Sequence, residues 1–267
     1  MRIAGRLGLI LLFGLRSMEK LFEIIHEDDE LLVINKPADL VCHPTKTDVY
    51  SSLISRIRLY LGPGAEAHLI NRLDRETSGL VLVAKNLSVA LELRALWEGR
   101  LVQKHYLAIV HGHVNKTSGM IVAPLGRDEQ SRVAIKDKVR SDGAAAQTGF
   151  ALERRFSRPE GDFSVLRVSP LTGRKHQIRI HLAHYGHPIV GDKLYGGDED
   201  LYLDFVKRRL SEAQRRKLLL PNQALHAGDL RLVWRGEDIF YHAPPESWFT
   251  DFISVRDDVR ARLPSPT

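Results

Sequence analysis

The sequence is poor in cysteine, since Cys42 is the only one among its 267 residues. A single cysteine excludes an internal disulfide and any metal site built from several thiolates, and it is typical of proteins from a reducing compartment. Long hydrophobic runs are also missing, because none approaches the roughly 18 apolar residues of a membrane-spanning helix. We therefore expect a cytoplasmic protein without membrane contact, held together by a packed core that its 43% hydrophobic residues can supply.

Charge of one sign predominates only modestly. Lysine and arginine number 39 against 33 aspartates and glutamates, which gives a net charge of +6 and an isoelectric point of about 9.5. This balance fits an anionic partner, but proteins that never meet nucleic acid show it as well. The net charge therefore leaves the partner open, and individual motifs have to identify it.

The N-terminus, MRIAGRLGLILLFGL, has the arginines and short apolar run of a signal peptide. The run is too short to span a bilayer, no cleavage pattern of small residues follows Gly14, and a charged segment begins at Met18. We expect residues 1–20 to be an extension outside the core, with translation starting at Met18 and no export. Residues 21–250 are then one domain, followed by a C-terminal tail at 251–267.

The pattern of apolar residues predicts an α+β fold. Short runs rich in β-branched residues and bounded by polar turns predict strands at 21–27, 31–35, 79–85, 106–112 and 163–169. One helix is predicted from an Asn86 N-cap to Trp97, and a second from near Thr172 to a stop at Gly186. Strands and helices do not alternate regularly, so we expect a largely antiparallel mixed sheet with flanking helices.

Two further segments are predicted to lie at the surface. Residues 141–147, SDGAAAQ, have the small residues of a loop, and the segment from Asp198 onwards predicts one charged helix. The basic residues of that helix outnumber its acids; they are Lys207, Arg208, Arg209, Arg215, Arg216 and Lys217. Such a run is either a solvated helix face or a surface that contacts phosphates.

Polar residues are densest in the segment His68–Lys85, just before a fully apolar strand. Asp74 lies between Arg72 and Arg75, and these cations favour its ionised form and lower its pKa. A carboxylate of this kind suits nucleophilic or electrostatic work on a ribose better than the role of a general acid. The alternative is a structural ion pair at a turn.

A second cluster occupies Leu171–Gly197, where we expect Arg174, Lys175 and Arg179 on the first turns of a helix. Four histidines follow; they are His176, His181, His184 and His187. His181 and His184 have the spacing of metal ligands on a helix face, but no third ligand of matching spacing is present. We therefore expect no metal, and histidines that are hydrogen-bonded or face phosphates.

These segments together resemble the RluA-type family of pseudouridine synthases. NRLDRETSGLVLVAKN and LTGRKHQIRIHLAHYGHPIVGDKLYGG are similar to its paired signature, and other family landmarks occur in the right order over about Leu21 to Phe249. They are EIIHEDDELLVINKPADLVCHP, QKHYLAIVHG, APLGRDEQSRVAI, ALHAGDLRLVW and FYHAPPE. No glycine-rich phosphate loop competes with this resemblance.

The resemblance implies a pseudouridine synthase fold with a central catalytic cleft and an isomerase that rearranges uridines in RNA. Asp74 matches the catalytic aspartate, which attacks or deprotonates the ribose, and Tyr106 the tyrosine that stacks on uracil and is implicated in removing the C5 proton. Arg179 matches the basic partner of the aspartate, and Arg72 the arginine that fills the gap left by the flipped nucleotide. Other expected RNA contacts are Arg75, Arg174, Lys175, Lys207, Arg208, Arg216 and Lys217.

A rearrangement without net redox change or hydrolysis needs no cofactor, and none is expected, nor is a metal. The expected partner is RNA, either ribosomal RNA, transfer RNA or both, with no obligate protein partner and a monomeric enzyme. Two alternatives remain: a catalytically silent RNA-binding or chaperone-like protein on the same fold, and a nucleoside-bond hydrolase. A hydrolase usually needs a second working carboxylate, and Glu76 is the only nearby one.

The sequence departs from the family pattern at two points. Asn71 stands where the family most often has histidine, although asparagine can also hold a turn by hydrogen bonding. About twenty residues before Leu21 are too few for the RNA-binding domain of the S4 type that many relatives carry. RNA capture is therefore expected to fall to the catalytic domain, which favours the basic segment from Lys207 to Lys217 as a phosphate contact.

Overall fold

The computed structural model describes residues 22–44 and 51–254. The extension expected at 1–20, with Met18, lies outside the described residues, as do residues 255–267 of the expected tail. The strands of the described part are, in chain order, β1 (Glu23–Glu27), β2 (Leu31–Lys36), β3 (His68–Leu69), β4 (Ser78–Ala84), β5 (Gln103–His111), β6 (Ser118–Val122), β7 (Leu125–Arg127), β8 (Asp137–Val139), β9 (Gln147–Arg158), β10 (Gly161–Pro170), β11 (Leu225–Trp234) and β12 (Glu237–His242).

One large mixed sheet organises the described residues. Its main path runs β1-β2-β4-β11-β5-β10-β9-β6, with β12 paired to β11 and β3 to β4, while β7 and β8 form a separate small sheet. Every pairing is antiparallel except that of β4 with β11, at the middle of the path. The predicted α+β class with a largely antiparallel mixed sheet is confirmed.

The helices of the described part are α1 (Leu53–Leu61), α2 (Leu87–Glu98), α3 (Gln177–His184), α4 (Glu199–Val206), α5 (Glu212–Leu218) and α6 (Ser247–Ile253). Helix α2 begins as predicted, because the Asn86 side chain accepts a 2.9 Å hydrogen bond from the Val89 N–H. No helix within 22–44 and 51–254 has both the length and the apolar character to cross a membrane.

Helix α3 starts later than predicted. His176 has a φ of 54°, which no α-helical residue adopts, so the helix begins only at Gln177. The Thr172 hydroxyl instead donates to the Gln177 side chain at 2.7 Å and closes a turn. Arg174 and Lys175 therefore lie in this turn and not on the first helical turns, which corrects the prediction.

The basic segment forms two helices instead of one. Arg208 has a φ of 56°, and Ser211 starts α5 with a capping box completed by Gln214. Lys207 and Arg208 thus lie in the link between α4 and α5. The local capping signal outweighs the continuous apolar spacing on which the prediction of one helix rested.

Both faces of the central strands are buried. Along β2, Leu32 and Ile34 pack with α1 on one side, whereas Leu31 and Val33 pack with α2 on the other. A strand covered on both faces has an uninterrupted apolar sequence, as LLVI does here. These layers fix the position of β4 and of the polar loop that precedes it.

The C-terminal helix α6 belongs to the domain. Phe249 is fully buried, and Phe252 packs edge-on against Phe163 of β10 at 5.1 Å between ring centroids. The expected domain boundary after residue 250 therefore falls inside a packed helix and is corrected to lie beyond Ile253. Residues 140–146 connect β8 to β9 and hold one isolated bridge, so the loop predicted at 141–147 is confirmed except for Gln147, which begins β9.

Candidate active site

A cleft of about 700 Å³ opens beside the start of β4. The loop before β4 supplies Arg72 and Asp74 to its lining, β5 supplies Tyr106, and the turn and helix at α3 supply His176 and Arg179. Segments that are more than 100 residues apart in sequence therefore meet in one cavity. Among the described residues that line it, Asp74 is the only carboxylate.

The loop that carries Asp74 is fixed by hydrogen bonds within the loop and to strand β4. Asn71 is buried, its amide donates to the Leu80 carbonyl at 3.0 Å, and its oxygen accepts from the Leu82 N–H at 2.9 Å. The Thr77 N–H closes the turn onto the Asp74 carbonyl at 3.2 Å. The hydrogen bonding expected of Asn71 is thus present, and it ties the loop to the strand that follows.

Gly79 allows β4 and β11 to approach each other at this point. Its φ is 113°, and a Cβ atom there would lie 2.3 Å from the Ala227 carbonyl oxygen. Only glycine combines this backbone conformation with so close a contact. The sole parallel strand pair of the described sheet, and with it the mouth of the cleft, depends on that residue.

Arg179 connects Asp74 to a second, deeper carboxylate. Its Nη1 donates to Oδ2 of Asp74 at 2.8 Å, while Nε and Nη2 donate to the two oxygens of Asp192 at 2.7 and 2.9 Å. The side chain of Asp192 is fully buried, whereas that of Asp74 is 31% exposed to the cleft. Asp192 therefore fixes Arg179 from the protein interior, and Arg179 donates one N–H group to Asp74, which faces the cavity.

The electrostatics of this cluster keep Asp74 ionised. Burial raises the pKa of its carboxyl, but Arg179 and His176 lower it by more, so that the pKa lies below its ordinary value. Burial lowers the pKa of His176, against the opposing effect of Asp74. The Nε2 atom of His176 lies 3.9 Å from Oδ1 of Asp74, and its Nδ1 is hydrogen-bonded to the Tyr195 hydroxyl at 2.9 Å.

Tyr106 projects from β5 into the same cleft and is partly buried. Burial raises the pKa of its phenol, and the charge of Asp74 raises it further. The phenol is therefore protonated at neutral pH. It offers an aromatic face and an O–H group in the cleft that Asp74 also lines.

Three further residues belong to the site although no role in it was predicted for them from sequence: Asp192, His176 and Tyr195. The Arg179 guanidinium lies 5.0 Å from the centre of the Tyr195 ring, so Tyr195 contacts both His176 and Arg179. All three lie within the segment Leu171–Gly197 that resembles the family signature. Nothing in their local spacing indicates that they converge on Asp74.

The predicted RNA contacts differ in where they lie. Arg72 and Arg174 line the cleft, and neither pairs with a carboxylate of the described chain. Lys175 lines it too but is paired with Asp137 at 2.9 Å. Arg75 also lines it; its Nε donates to Asp39 at 2.7 Å, and its guanidinium lies 5.3 Å from the centre of the Phe205 ring of α4.

The basic link and helix lie outside the cleft lining. Lys207, Arg208, Arg216 and Lys217 are exposed, and Arg216 pairs with Glu212 at 2.7 Å on the surface. The contact between Phe205 and Arg75, which lines the cleft, places α4 beside it. These four residues thus form a surface near the cleft and no part of its wall.

Glu76 does not face the cleft. It is buried beside Lys193, whose ammonium donates to it and also to the Pro221 carbonyl at 2.7 Å. Burial raises the pKa of the Glu76 carboxyl by more than Lys193 lowers it. Glu76, the second carboxylate that a hydrolase would need, is therefore buried in an ion pair with Lys193 and does not line the cavity.

Of the two histidines of α3, His181 is buried and hydrogen-bonded, whereas His184 is exposed. The two ring nitrogens of His181 are bonded to the Thr148 hydroxyl at 2.8 Å and to the Ala123 carbonyl at 2.9 Å. Across residues 22–44 and 51–254, no group of three metal-ligating side chains comes together.

Comparison with known proteins gives consistent results. Residues 30–184 match the family model of RNA pseudouridylate synthase. Ribosomal large subunit pseudouridine synthase D of Haemophilus ducreyi is 36% identical over 238 residues, which cover 87% of this chain and 70% of that protein. The protein of the same name from Nitrosomonas europaea is 34% identical over 229 residues, or 83% of this chain and 61% of that protein.

Solved structures agree with this result. The structure of human RNA pseudouridylate synthase domain containing 1 superposes with a TM-score of 0.66 at 27% identity, over 84% of this chain and 83% of that one. That of human RNA pseudouridylate synthase domain containing 4 superposes with a TM-score of 0.67 at 25% identity, over 90% and 95% of the two chains.

Proposed function

The chain belongs to the RNA pseudouridylate synthase family, and we propose that Asp74 is the catalytic residue with which it isomerises a uridine of ribosomal RNA. The family membership makes it an RNA pseudouridine synthase, an isomerase whose substrate is RNA. The expected assignment to this enzyme class is confirmed. The identity of the catalytic residues and of the RNA is the content of the proposal.

The reaction breaks the bond between N1 of uracil and C1′ of ribose and forms a bond between C5 and C1′. The C5 proton leaves and N1 gains a proton, so no atom or electron is added overall. A carboxylate that attacks or deprotonates the ribose has to be ionised. Asp74 carries the proposal because it is the only carboxylate lining the cleft in the described chain, and Arg179 and His176 hold its pKa low against the effect of burial.

Tyr106 and Arg72 supply the remaining parts of the proposed site. Turning a uridine out of an RNA stack costs a few kcal/mol, which stacking on an aromatic ring and filling of the gap can offset. Tyr106 offers its ring to the uracil, and its phenol, whose pKa is raised by burial and by the charge of Asp74, stays protonated in the same cleft. Arg72 is exposed and unpaired among the described residues, so it is available to enter the vacated position.

Ribosomal RNA is proposed as substrate on the names of two relatives, which this chain covers to 70% and 61% of their length. Transfer RNA is the alternative substrate. A cytoplasmic location, a monomeric state and freedom from an obligate protein partner are also parts of the proposal. RNA capture by the cleft and by the basic surface near it completes the proposal.

Pseudouridine mapping in the source organism tests the function. We would compare the wild type, a deletion strain, and the deletion strain carrying Asp74→Ala. One discrete site lost on deletion, and restored only by the wild-type gene, is the expected result and identifies the RNA. Full restoration by Asp74→Ala would instead assign the protein as a catalytically silent RNA-binding protein.

A pair of Tyr106 variants tests the role of the ring. Tyr106→Phe keeps the stacking surface and removes the O–H group, so we expect RNA affinity to be retained while turnover falls. Tyr106→Leu removes both and is expected to lower affinity as well. Equal turnover of Tyr106→Phe and the wild type, measured by tritium release from C5-labelled RNA, would remove the hydroxyl from the mechanism.

A further inference from the structure

Lys104 is a partly buried cation in the wall of the cleft that has no counter-charge in the described chain, whereas the likewise unpaired Arg72 and Arg174 are exposed. Lys104, the second residue of β5, lines the cleft together with Trp97, and its ammonium lies 5.2 Å from the centre of the Trp97 ring. No carboxylate of the described chain lies within ion-pair distance of Lys104. Burial lowers its pKa, and the only charged neighbour that adds to this effect is another cation, Arg100.

Most other cations around this cavity are neutralised by the protein itself. Arg179 is paired with two carboxylates, Arg75 with Asp39, and Lys175 with Asp137. A partly buried ammonium without an anion is unfavourable unless a ligand supplies one. The chain thus leaves a positive charge unpaired inside a cleft that has to accept a polyanion.

Local structure fixes Trp97 and Lys104 opposite each other. Trp97 is in the last turn of α2, and the short connection to β5 is closed by hydrogen bonds from the Gly99 N–H to Ala95 and from the Leu101 N–H to Leu96, both of 2.9 Å. The indole face limits the directions in which the lysine can point. Trp97 is therefore a positioning residue, and Lys104 is the group that can touch a ligand.

The position of Lys104 relative to Tyr106 suggests what that ligand is. The two residues are separated by one residue on β5, so their side chains leave the same face of the strand about 7 Å apart. Tyr106 is the proposed platform for the target uracil, so an anion at Lys104 lies about one nucleotide away from it. We propose that Lys104, held by Trp97, binds the RNA backbone phosphate that flanks the target nucleotide.

This subsite rests on the proposed function, because it places the phosphate relative to the uridine at Tyr106. Its test uses a short RNA containing the uridine identified by mapping, in which each flanking phosphate is replaced singly by a neutral methylphosphonate. Affinity is measured in the Asp74→Asn background, which separates binding from turnover. One replacement is expected to weaken binding by about tenfold.

Lys104→Gln should weaken binding of the unmodified RNA by the same factor as that methylphosphonate replacement does in the protein with Lys104. In Lys104→Gln, replacing that one phosphate should then cause no further loss of affinity. Lys104→Arg should keep the sensitivity, which separates loss of charge from misfolding. Lys116→Gln is the matched control, since Lys116 is exposed and does not line the cleft. It should leave the whole methylphosphonate profile unchanged.

An unchanged profile in Lys104→Gln would overturn the subsite while leaving the proposed function in place. Absence of turnover by the wild type on every RNA would overturn the proposed function and this proposal with it. Trp97→Phe should keep the coupling between Lys104 and the phosphate, and Trp97→Leu should reduce it. Equal coupling in all three proteins would remove the positioning role of Trp97.

Discussion

Asp74 and Glu76 lie two residues apart in the same loop, and each is paired with a buried cation. The side chain of Asp74 is 31% exposed to the cleft, whereas that of Glu76 is 9% exposed and faces Lys193. Burial raises the pKa of both carboxyls; in Asp74 the nearby cations outweigh that effect, and in Glu76 they do not. One carboxylate is therefore available to a substrate, and the other is structural.

The two carboxylates differ in exposure because Arg179 and Lys193 have different hydrogen-bond partners inside the protein. Arg179 has three N–H groups in use and is held by Asp192 from the protein side, so its remaining bond can present Asp74 to the cavity. Lys193 points inward to Glu76 and to backbone carbonyls. Of these two ion pairs, only the one whose cation is held by a second carboxylate, Asp192, leaves its other carboxylate, Asp74, exposed to a substrate.

Asp192→Asn should have the largest effect on stability. It removes the second carboxylate that distinguishes the pair of Arg179 with Asp74 from the pair of Lys193 with Glu76. It leaves Arg179 buried with Asp74 as its only carboxylate, and we expect the free energy of unfolding to fall by about 3–5 kcal/mol. Urea denaturation measures it. Asp39→Asn is the matched control, because its pair with Arg75 is half exposed and should be worth less than about 1 kcal/mol. Equal losses in both variants would contradict the anchoring role of Asp192.

Glu76→Met should lower the free energy of unfolding by about 2–3 kcal/mol, because it leaves the buried Lys193 ammonium without the side-chain acceptor that Glu76 provides. Turnover of the folded variant should remain. Replacing both partners, Glu76→Met with Lys193→Met, should recover most of the stability, since apolar side chains need no counter-charge. A loss of turnover in the stable double variant would show that Glu76 takes part in the chemistry.

Asn71→Ala sharpens the comparison by loosening the loop that carries both carboxylates. It removes two buried hydrogen bonds to β4, so we expect a loss of about 2 kcal/mol and a fall in turnover as Asp74 moves. Asn86→Ala, which removes the cap of α2, should cost about 1 kcal/mol and leave turnover unchanged. Unchanged turnover in Asn71→Ala would separate the loop anchor from the site.

The pH dependence of the two carboxyls should differ in sign. Asp74 has a lowered pKa, so its contribution to stability is present above the ordinary value of 3.8 and is lost as pH falls through the folded pKa. Glu76 has a raised pKa, so its contribution is present below 4.5 and is lost as pH rises. Carboxyl titration by NMR should find Asp74 below and Glu76 above these values, and the reverse order would contradict the assignment.

The basic surface outside the cleft should contribute least. Arg216→Ala with Lys217→Ala should weaken RNA binding and reduce the slope of log K against log salt by about 0.7–0.9 for each phosphate that the protein no longer neutralises. The pair of Arg216 with Glu212 already compensates part of its charge. Equal slopes for the double variant and the wild type would remove α5 from the RNA interface.

The residues predicted from sequence are those whose signals are local. Apolar strand runs identify β2 and β4, and the Asn86 cap identifies the start of α2. The break at Arg208 and the late start of α3 at Gln177 depend on left-handed backbone conformations of non-glycine residues, which no apolar periodicity reveals. Local spacing therefore predicts elements better than their ends.

The residues of the candidate site also differ in whether local sequence signals predict them. Asp74, Arg72, Tyr106 and Arg179, which line one cleft in the structure, could be predicted as site residues because each lies in a segment that resembles a family motif. The role of Asp192 could not, because its bond to Arg179 becomes visible only when α3 and the segment after it pack together. Lys104 was hidden for a related reason, since an absent counter-charge is a property of the folded cleft.

The central claim is that Asp74 is the reacting carboxylate and Glu76 a structural one. Tritium release from C5-labelled substrate RNA by Asp74→Asn and Glu76→Gln, measured on folded protein together with RNA affinity, tests it most directly. We expect Asp74→Asn to lose at least about 10³-fold in turnover with affinity kept, and Glu76→Gln to retain turnover. Release at the wild-type rate by Asp74→Asn, or its loss in Glu76→Gln alone, would contradict the account.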